Sequence, residues 1–124
     1  MSAYDRNNVF ARILRGELPC KKVYEDEWAL AFHDINPLAP VHVLVIPKGQ
    51  YVSMVDFGAK ASPEEVGGFF KAVAKVAEML GVNERGYRIL ANAGPDANQE
   101  VPHLHVHLFA GAPLGPMLRR VTAG

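Results

Sequence analysis

Residues 101–111 read VPHLHVHLFAG, and this stretch decides the fold class and where chemistry can sit. His103, His105 and His107 take alternate positions, with Leu104, Val106 and Leu108 interleaved and Phe109 following. A period of two is the signature of a strand, whose successive side chains point to opposite faces. A strand over 103–109 places the three imidazoles on one face and the aliphatic residues on the other, against a core. Neighbouring rings then stand roughly 6–7 Å apart in a row, and the outer two about 13 Å apart. The chain holds five histidines, so three of them within five residues call for a chemical explanation.

Three explanations compete. A His-x-His strand can supply two zinc ligands, with His42 as a third from a neighbouring strand. Three collinear rings do not converge easily on one tetrahedral ion, however, and no acidic cluster of the kind hard metals prefer accompanies them. Alternatively, a neutral imidazole is a nucleophile toward phosphorus or carbonyl carbon, provided a hydrogen bond to one ring nitrogen fixes its tautomer. Flanking imidazoles can donate to charge developing on a phosphate. The best-flanked ring, His105, is then the nucleophile. The third explanation is a solvent-facing strand face without chemistry, which clustered imidazoles disfavour because they repel when protonated together.

Working outward, residues 7–19 (NNVFARILRGELP) predict a short helix. Asn7 or Asn8 caps it, Gly16 ends it, and Val9, Phe10, Ile13 and Leu14 form its apolar face. KKVYED and WALAFHD predict two strands joined at Glu25, Asp26 and Glu27, followed by the proline-rich link INPLAP. VHVLVIPK, residues 41–48, is the clearest strand, with Val41, Val43 and Val45 on one face and His42, Leu44 and Ile46 on the other. YVSMVDFGAKA reads as irregular. SPEEVGGFFKAVAKVAEMLG predicts a helix, with Ser62 at the N-cap, Pro63 at N1, Glu65 completing a capping box and Gly81 ending it. GYRILANAG is a fourth strand, GPDANQEVP a polar loop, and HLHVHLFAG the fifth strand. The order is helix, three strands, helix, two strands. Tight links between consecutive strands favour an antiparallel sheet, and the class is α+β.

Composition bounds the rest. The 124 residues fit a single domain, 1–124, and 49% of them are hydrophobic, which excludes a disordered chain. Basic and acidic residues both number 13, a balance that argues against a long nucleic-acid footprint but leaves room for one mononucleotide. Cys20 is the only cysteine and reads as a small hydrophobe. The N-terminal MSAYDRNNVF lacks the apolar core of a signal peptide, and no run approaches membrane-span length. These features predict a cytoplasmic protein with no membrane association.

HLHVHLF completes the pattern His-φ-His-φ-His-φ-φ, with φ apolar, and so resembles the signature of the histidine triad (HIT) family. The likeness extends to residues 10–48 (FARILRGELPCKKVYEDEWALAFHDINPLAPVHVLVIPK), to GYRILANAG and to NQEVPHLHVHLFAG, roughly residues 9–115, and is similar to the Hint-like branch. It implies a five-stranded antiparallel sheet with two helices, and a homodimer whose sheets join into ten continuous strands. It implies hydrolysis of purine nucleoside phosphoramidates and related nucleotidyl conjugates, with no cofactor and no metal. By the family pattern, His105 attacks the α-phosphorus to form a nucleotidyl-histidine that water cleaves to a mononucleotide. His103 and His107 flank the phosphate and tune the nucleophile, and His42 is the family's fourth histidine, on the neighbouring strand. Asp34 matches the acid that bonds the ribose hydroxyls. Phe10, Ile13, Leu18, Phe32, His33 and Ile35 match positions around the base, and Asn92 and Gln99 match positions at the phosphate. The chain departs from the pattern at Asn98, where relatives commonly have Gly, and at Glu100, where many have Ser or Thr. Two other functions stay open: a purine-nucleotide-binding or interaction module with little catalysis, and a histidine-ligated metal hydrolase.

Overall fold

The first helix, α1, spans Val9–Leu14 in the structure, a computed structural model describing residues 3–123. Met1, Ser2 and Gly124, included in the expected single domain, lie outside the described residues. Asn8 caps α1 by accepting the Ala11 N–H at 2.9 Å. Strands β1 (Lys22–Glu25), β2 (Ala29–His33) and β3 (Val41–Pro47) follow. The turn between β1 and β2 closes on Asp26, whose Oδ1 accepts the N–H groups of Trp28 and Ala29. After β3 come α2 (Met54–Lys60), α3 (Pro63–Leu80), β4 (Arg88–Leu90), a 3₁₀ turn (Pro95–Ala97) and β5 (Val106–Ala110). The five strands form one antiparallel sheet in the order β1-β2-β3-β5-β4.

The sheet buries both faces. On one, Ala29, Ala31, Val43, Val45, Val106 and Leu108 pack against Phe57 of α2 and Phe69, Val73 and Val76 of α3. On the other, Leu30, Phe32, Leu44 and Ile46 pack against Phe10 of α1. The alternation expected for β3 therefore holds, and His42 shares a face with Leu44 and Ile46. Among the described residues, no helix is long and apolar enough to cross a membrane.

Four expectations are corrected. The segment read as irregular contains α2, so three α-helices replace the two expected. Asp56 starts α2 by accepting the N–H groups of Val52 and Ser53 at 2.7 and 2.8 Å, and the helix buries Phe57 completely. The S-x-x-D spacing at 53–56 carried that signal. Only half of the capping box of α3 forms. Ser62 accepts the Glu65 N–H, but the Glu65 carboxylate accepts the Tyr51 hydroxyl instead of turning back to the cap. Strand β4 is three residues long, because the chain leaves the ladder at Leu90. Finally, β5 begins at Val106, so His103, Leu104 and His105 precede the strand. That segment is held by the bonds from His103 N–H to the Val101 carbonyl and from Leu104 N–H to the Tyr51 carbonyl.

Gly68 has a steric reason. A Cβ there would stand 2.3 Å from the Trp28 ring, so the indole lies directly on the helix backbone. Gly67 meets no neighbour within 4 Å.

Candidate active site

A cavity of about 690 Å³ opens on the α1 side of the sheet, a size that holds one small ligand. Its wall includes Phe10, Ile13, Leu18, Phe32, His33, Asp34, Ile35, His42, Asn92, His105 and His107. Eleven of the thirteen residues singled out from the sequence thus share one wall; His103 and Gln99 are outside it. Ile35 stands at the rim and is 93% exposed, a large aliphatic side chain with nothing over it.

Hydrogen-bond partners assign each histidine its tautomer. A backbone carbonyl only accepts, so a ring nitrogen bonded to one must carry the proton. His105 Nδ1 lies 2.7 Å from the His103 carbonyl oxygen and therefore donates to it. The lone pair of His105 is then on Nε2, and the ring lines the cavity with the edge of Phe10 packed 5.0 Å away. By the same rule His103 Nε2 donates to the Pro47 carbonyl at 2.9 Å, leaving Nδ1 to accept the Tyr4 hydroxyl at 2.5 Å. His103 is completely buried, with both ring nitrogens engaged. The expectation that His103 flanks a phosphate is corrected: it reaches the site only through its main-chain carbonyl.

His42 and His107 form a second chain. The Leu38 N–H donates to His42 Nδ1 at 3.1 Å, which puts the His42 proton on Nε2. That proton faces His107 Nδ1 at 2.9 Å, with Asp34 Oδ2 3.5 Å away on the side. His107 accordingly carries its own proton on Nε2. Phe109 stacks parallel to the His107 ring and lies against His42, with ring centroids 5.6 and 4.2 Å away. The His105 and His107 rings are 4.9 Å apart, closer than an ideal strand places them, because His105 precedes the ladder.

Burial keeps these rings neutral. It lowers His103 to about 4, against the support of its carbonyl bond. It lowers His107 to about 4 as well, assisted by repulsion from His105 and His42. Burial also lowers His105 and His42, with Asp34 pulling the other way on both. The site thus offers one lone pair, on His105, and one outward N–H, on His107.

The amide of Gln99 is used within the protein. Its Oε1 accepts the Gly94 N–H, and its Nε2 donates to the Val52 and Val101 carbonyls. The expected phosphate contact from this side chain is therefore corrected to a brace for the loop. Asn98 adopts φ 57° and ψ 48°, the left-handed region in which Gly is at ease and Asn is tolerated. Asn98 thus meets the backbone conformation that suits the Gly which the family resemblance implies here. Glu100 is exposed and lies on the cavity wall.

Asp34, His42 and His107 present ligand atoms within 4.8 Å of one another. The donor set does not fit a metal. Coordination through His42 Nε2 would move its proton to Nδ1, directly against the Leu38 N–H.

Tyr4, the Leu38 N–H and the Pro47 carbonyl were absent from the sequence reading. Tyr4 meets His103 across 99 positions, and no spacing in one sequence signals such a pair.

Comparison with known proteins identifies the family. Residues 15–114 match the family model described as HIT domain. A HIT-like protein of Azospirillum brasilense is 68% identical over 117 residues, covering 94% of this chain and 96% of its own. The purine nucleoside phosphoramidase of Escherichia coli K12 is 42% identical over 110 residues, covering 89% and 92%. Among solved structures, a histidine triad protein from Clostridium difficile has a TM-score of 0.83 at 39% identity, covering 95% of this chain and 100% of that one. A HIT family hydrolase from Clostridium thermocellum has a TM-score of 0.82 at 45% identity, covering 91% and 97%. With a matching architecture and a family match over most of its length, the chain belongs to the histidine triad (HIT) family.

Proposed function

We propose that this protein hydrolyses purine nucleoside 5′-phosphoramidates and related nucleotidyl conjugates through a covalent intermediate on His105. The observation that carries the proposal is the bond from His105 Nδ1 to the His103 carbonyl, which aims the Nε2 lone pair into the cavity. The relative named purine nucleoside phosphoramidase supports the substrate class.

His105 Nε2 attacks the α-phosphorus, a P–N bond to the ring forms, and the bond to the leaving amine breaks. The departing nitrogen takes a proton from solvent at the open side of the cavity, where Glu100 lies, and leaves as the amine. The nucleotidyl-imidazolium that results shares its Nδ1–H with the His103 carbonyl, whose dipole stabilises the new positive charge. His107 Nε2–H donates to a non-bridging oxygen as negative charge develops there. Water then attacks phosphorus and gives up a proton to solvent, the P–N bond to His105 breaks with its electron pair returning to Nε2, and a nucleoside monophosphate leaves. Asp34 suits the ribose hydroxyls. One oxygen accepts the Asn36 N–H at 2.8 Å, and lone pairs remain for a diol. Phe10, Ile13, Leu18, Phe32 and Ile35 form the apolar side for the base with the exposed His33 beside them, and Asn92 serves the phosphate side.

The protein is further proposed to be a homodimer. Strand β4 is an edge whose Ile89 and Leu90 are exposed, and a second copy would pair with it and cover them. Sedimentation measures the oligomeric state.

Turnover of adenosine 5′-phosphoramidate by wild type and His105→Ala tests the enzyme reading, with mass spectrometry of the quenched wild type. Release of the monophosphate and a nucleotidyl adduct on wild type only are the expected results. No turnover and no adduct, with nucleotide binding unchanged in His105→Ala, would leave a binding module in its place.

A further inference from the structure

We infer that Tyr4 is a positioning residue for the nucleophile, acting through His103 on the tautomer and aim of His105. The inference rests on His105 being the attacking group.

The nucleophile has an unusual support. His105 lies before β5, so no strand ladder holds its own residue or the two before it. Besides the main-chain bonds of His103 and Leu104, this segment is fixed by the buried ring of His103, clamped from both sides. Pro47, at the end of β3, accepts from Nε2, and Tyr4, from the chain before α1, donates to Nδ1. The main-chain carbonyl of this same residue receives the His105 Nδ1–H. A ring held at one nitrogen can still swing about that bond; a ring held at both cannot, and the carbonyl attached to it keeps its direction. The Tyr4 hydroxyl also settles the protonation pattern. Only a donor at Nδ1 is compatible with Nε2–H facing the Pro47 carbonyl, and a phenol supplies one. Supporting groups of this kind decide whether a reactive side chain stays within the tolerance that catalysis requires.

Tyr4 itself is held in place independently of its hydroxyl. Asp5 accepts the Asn7 N–H through its carboxylate and the Asn8 side-chain amide through its carbonyl, at 2.9 and 2.7 Å. Arg15 donates to the Arg6 carbonyl at 2.7 Å. The Tyr4 ring packs edge-on against His103 with centroids 5.6 Å apart. Removing the hydroxyl alone therefore leaves the segment docked and takes away the bond to His103 together with a contact to the Asn8 side chain.

The test compares Tyr4→Phe with wild type by steady-state kinetics on adenosine 5′-phosphoramidate and by ¹⁵N NMR of the histidine ring nitrogens. The expected kinetic result is a kcat lowered about tenfold with KM within about twofold, since aim is lost and binding is not. The expected spectral results are His103 Nδ1 moving downfield, toward a bare pyridine-type nitrogen, and the two His105 nitrogens moving toward each other as the tautomers mix. A merely structural Tyr4 would lower the thermal midpoint without mixing the His105 tautomers. Unchanged His105 shifts, or an unchanged kcat, would overturn the inference. If wild type fails to turn over the substrate, the enzyme proposal falls, and the His105 shifts still decide whether Tyr4 controls that ring.

Discussion

Replacing His42 by Leu removes the middle of the chain that runs from the Leu38 N–H through His42 to His107. Nothing then donates to His107 Nδ1, and the proton of a neutral His107 can move there, toward Asp34. The lone pair on Nε2 would face the proposed phosphate position where an N–H stood. A hydrogen bond to a charged group contributes about 1.5–3 kcal/mol. Losing it in the transition state lowers kcat by about 10- to 150-fold, at about 1.4 kcal/mol per decade. The exposed Leu38 loses its N–H partner as well, so unfolding by urea should show a loss of about 0.5–1.5 kcal/mol. His42→Gln separates polarity from the ring, because an amide accepts from Leu38 through oxygen and donates to His107 through nitrogen. Steady-state kinetics on adenosine 5′-phosphoramidate should place the Gln variant well above the Leu variant, with KM little changed in both. Equal losses for Gln and Leu would refute the relay, and so would a Leu variant within about twofold of wild type.

Three further outcomes follow from the geometry. The buried histidines have folded-state pKa values below the usual 6.5, down to about 4 for His103 and His107, so the unfolded chain binds more protons in acid. Their stabilising contribution is complete above pH 6.5, falls as pH drops below it, and is exhausted near pH 4; urea midpoints across this range measure it, and a flat profile would contradict neutral burial. Gly68→Ala should destabilise by about 1–3 kcal/mol through collision with Trp28, whereas Gly67→Ala should stabilise by about 0.5–1 kcal/mol through helix propensity, both read by thermal unfolding. Asn98→Gly should leave stability unchanged or slightly raised, and Asn98→Val should cost about 1–2 kcal/mol, because a β-branched residue resists the left-handed backbone found there.

Much of this molecule was legible locally. Alternation marked β3 and the one-sided histidines, caps marked α1 and α3, and Leu104, Val106 and Leu108 do enter the core. Helix α2 was missed because its apolar period spans barely two turns, although Ser53 and Asp56 marked its start. Glu65 was misassigned because Tyr51, fourteen residues earlier, competes for its carboxylate. Gln99 looked like a ligand group because nothing near it in sequence shows that the Val52 carbonyl takes its amide.

The sequence alone determined that three imidazoles fall on one side of an apolar segment and that His42 sits on a strand face alternating with valines. Only the tertiary structure decided what each imidazole does. A neutral ring reacts through whichever nitrogen lacks the proton, and a hydrogen-bond partner sets which one that is. Those partners come from afar: Tyr4 and Pro47 for His103, and His42 for His107, across 99, 56 and 65 positions. Three histidines that are equivalent in the pattern HLHVHLF thus separate into a buried brace, a ring whose free lone pair lies on the cavity side and a ring that keeps an N–H there.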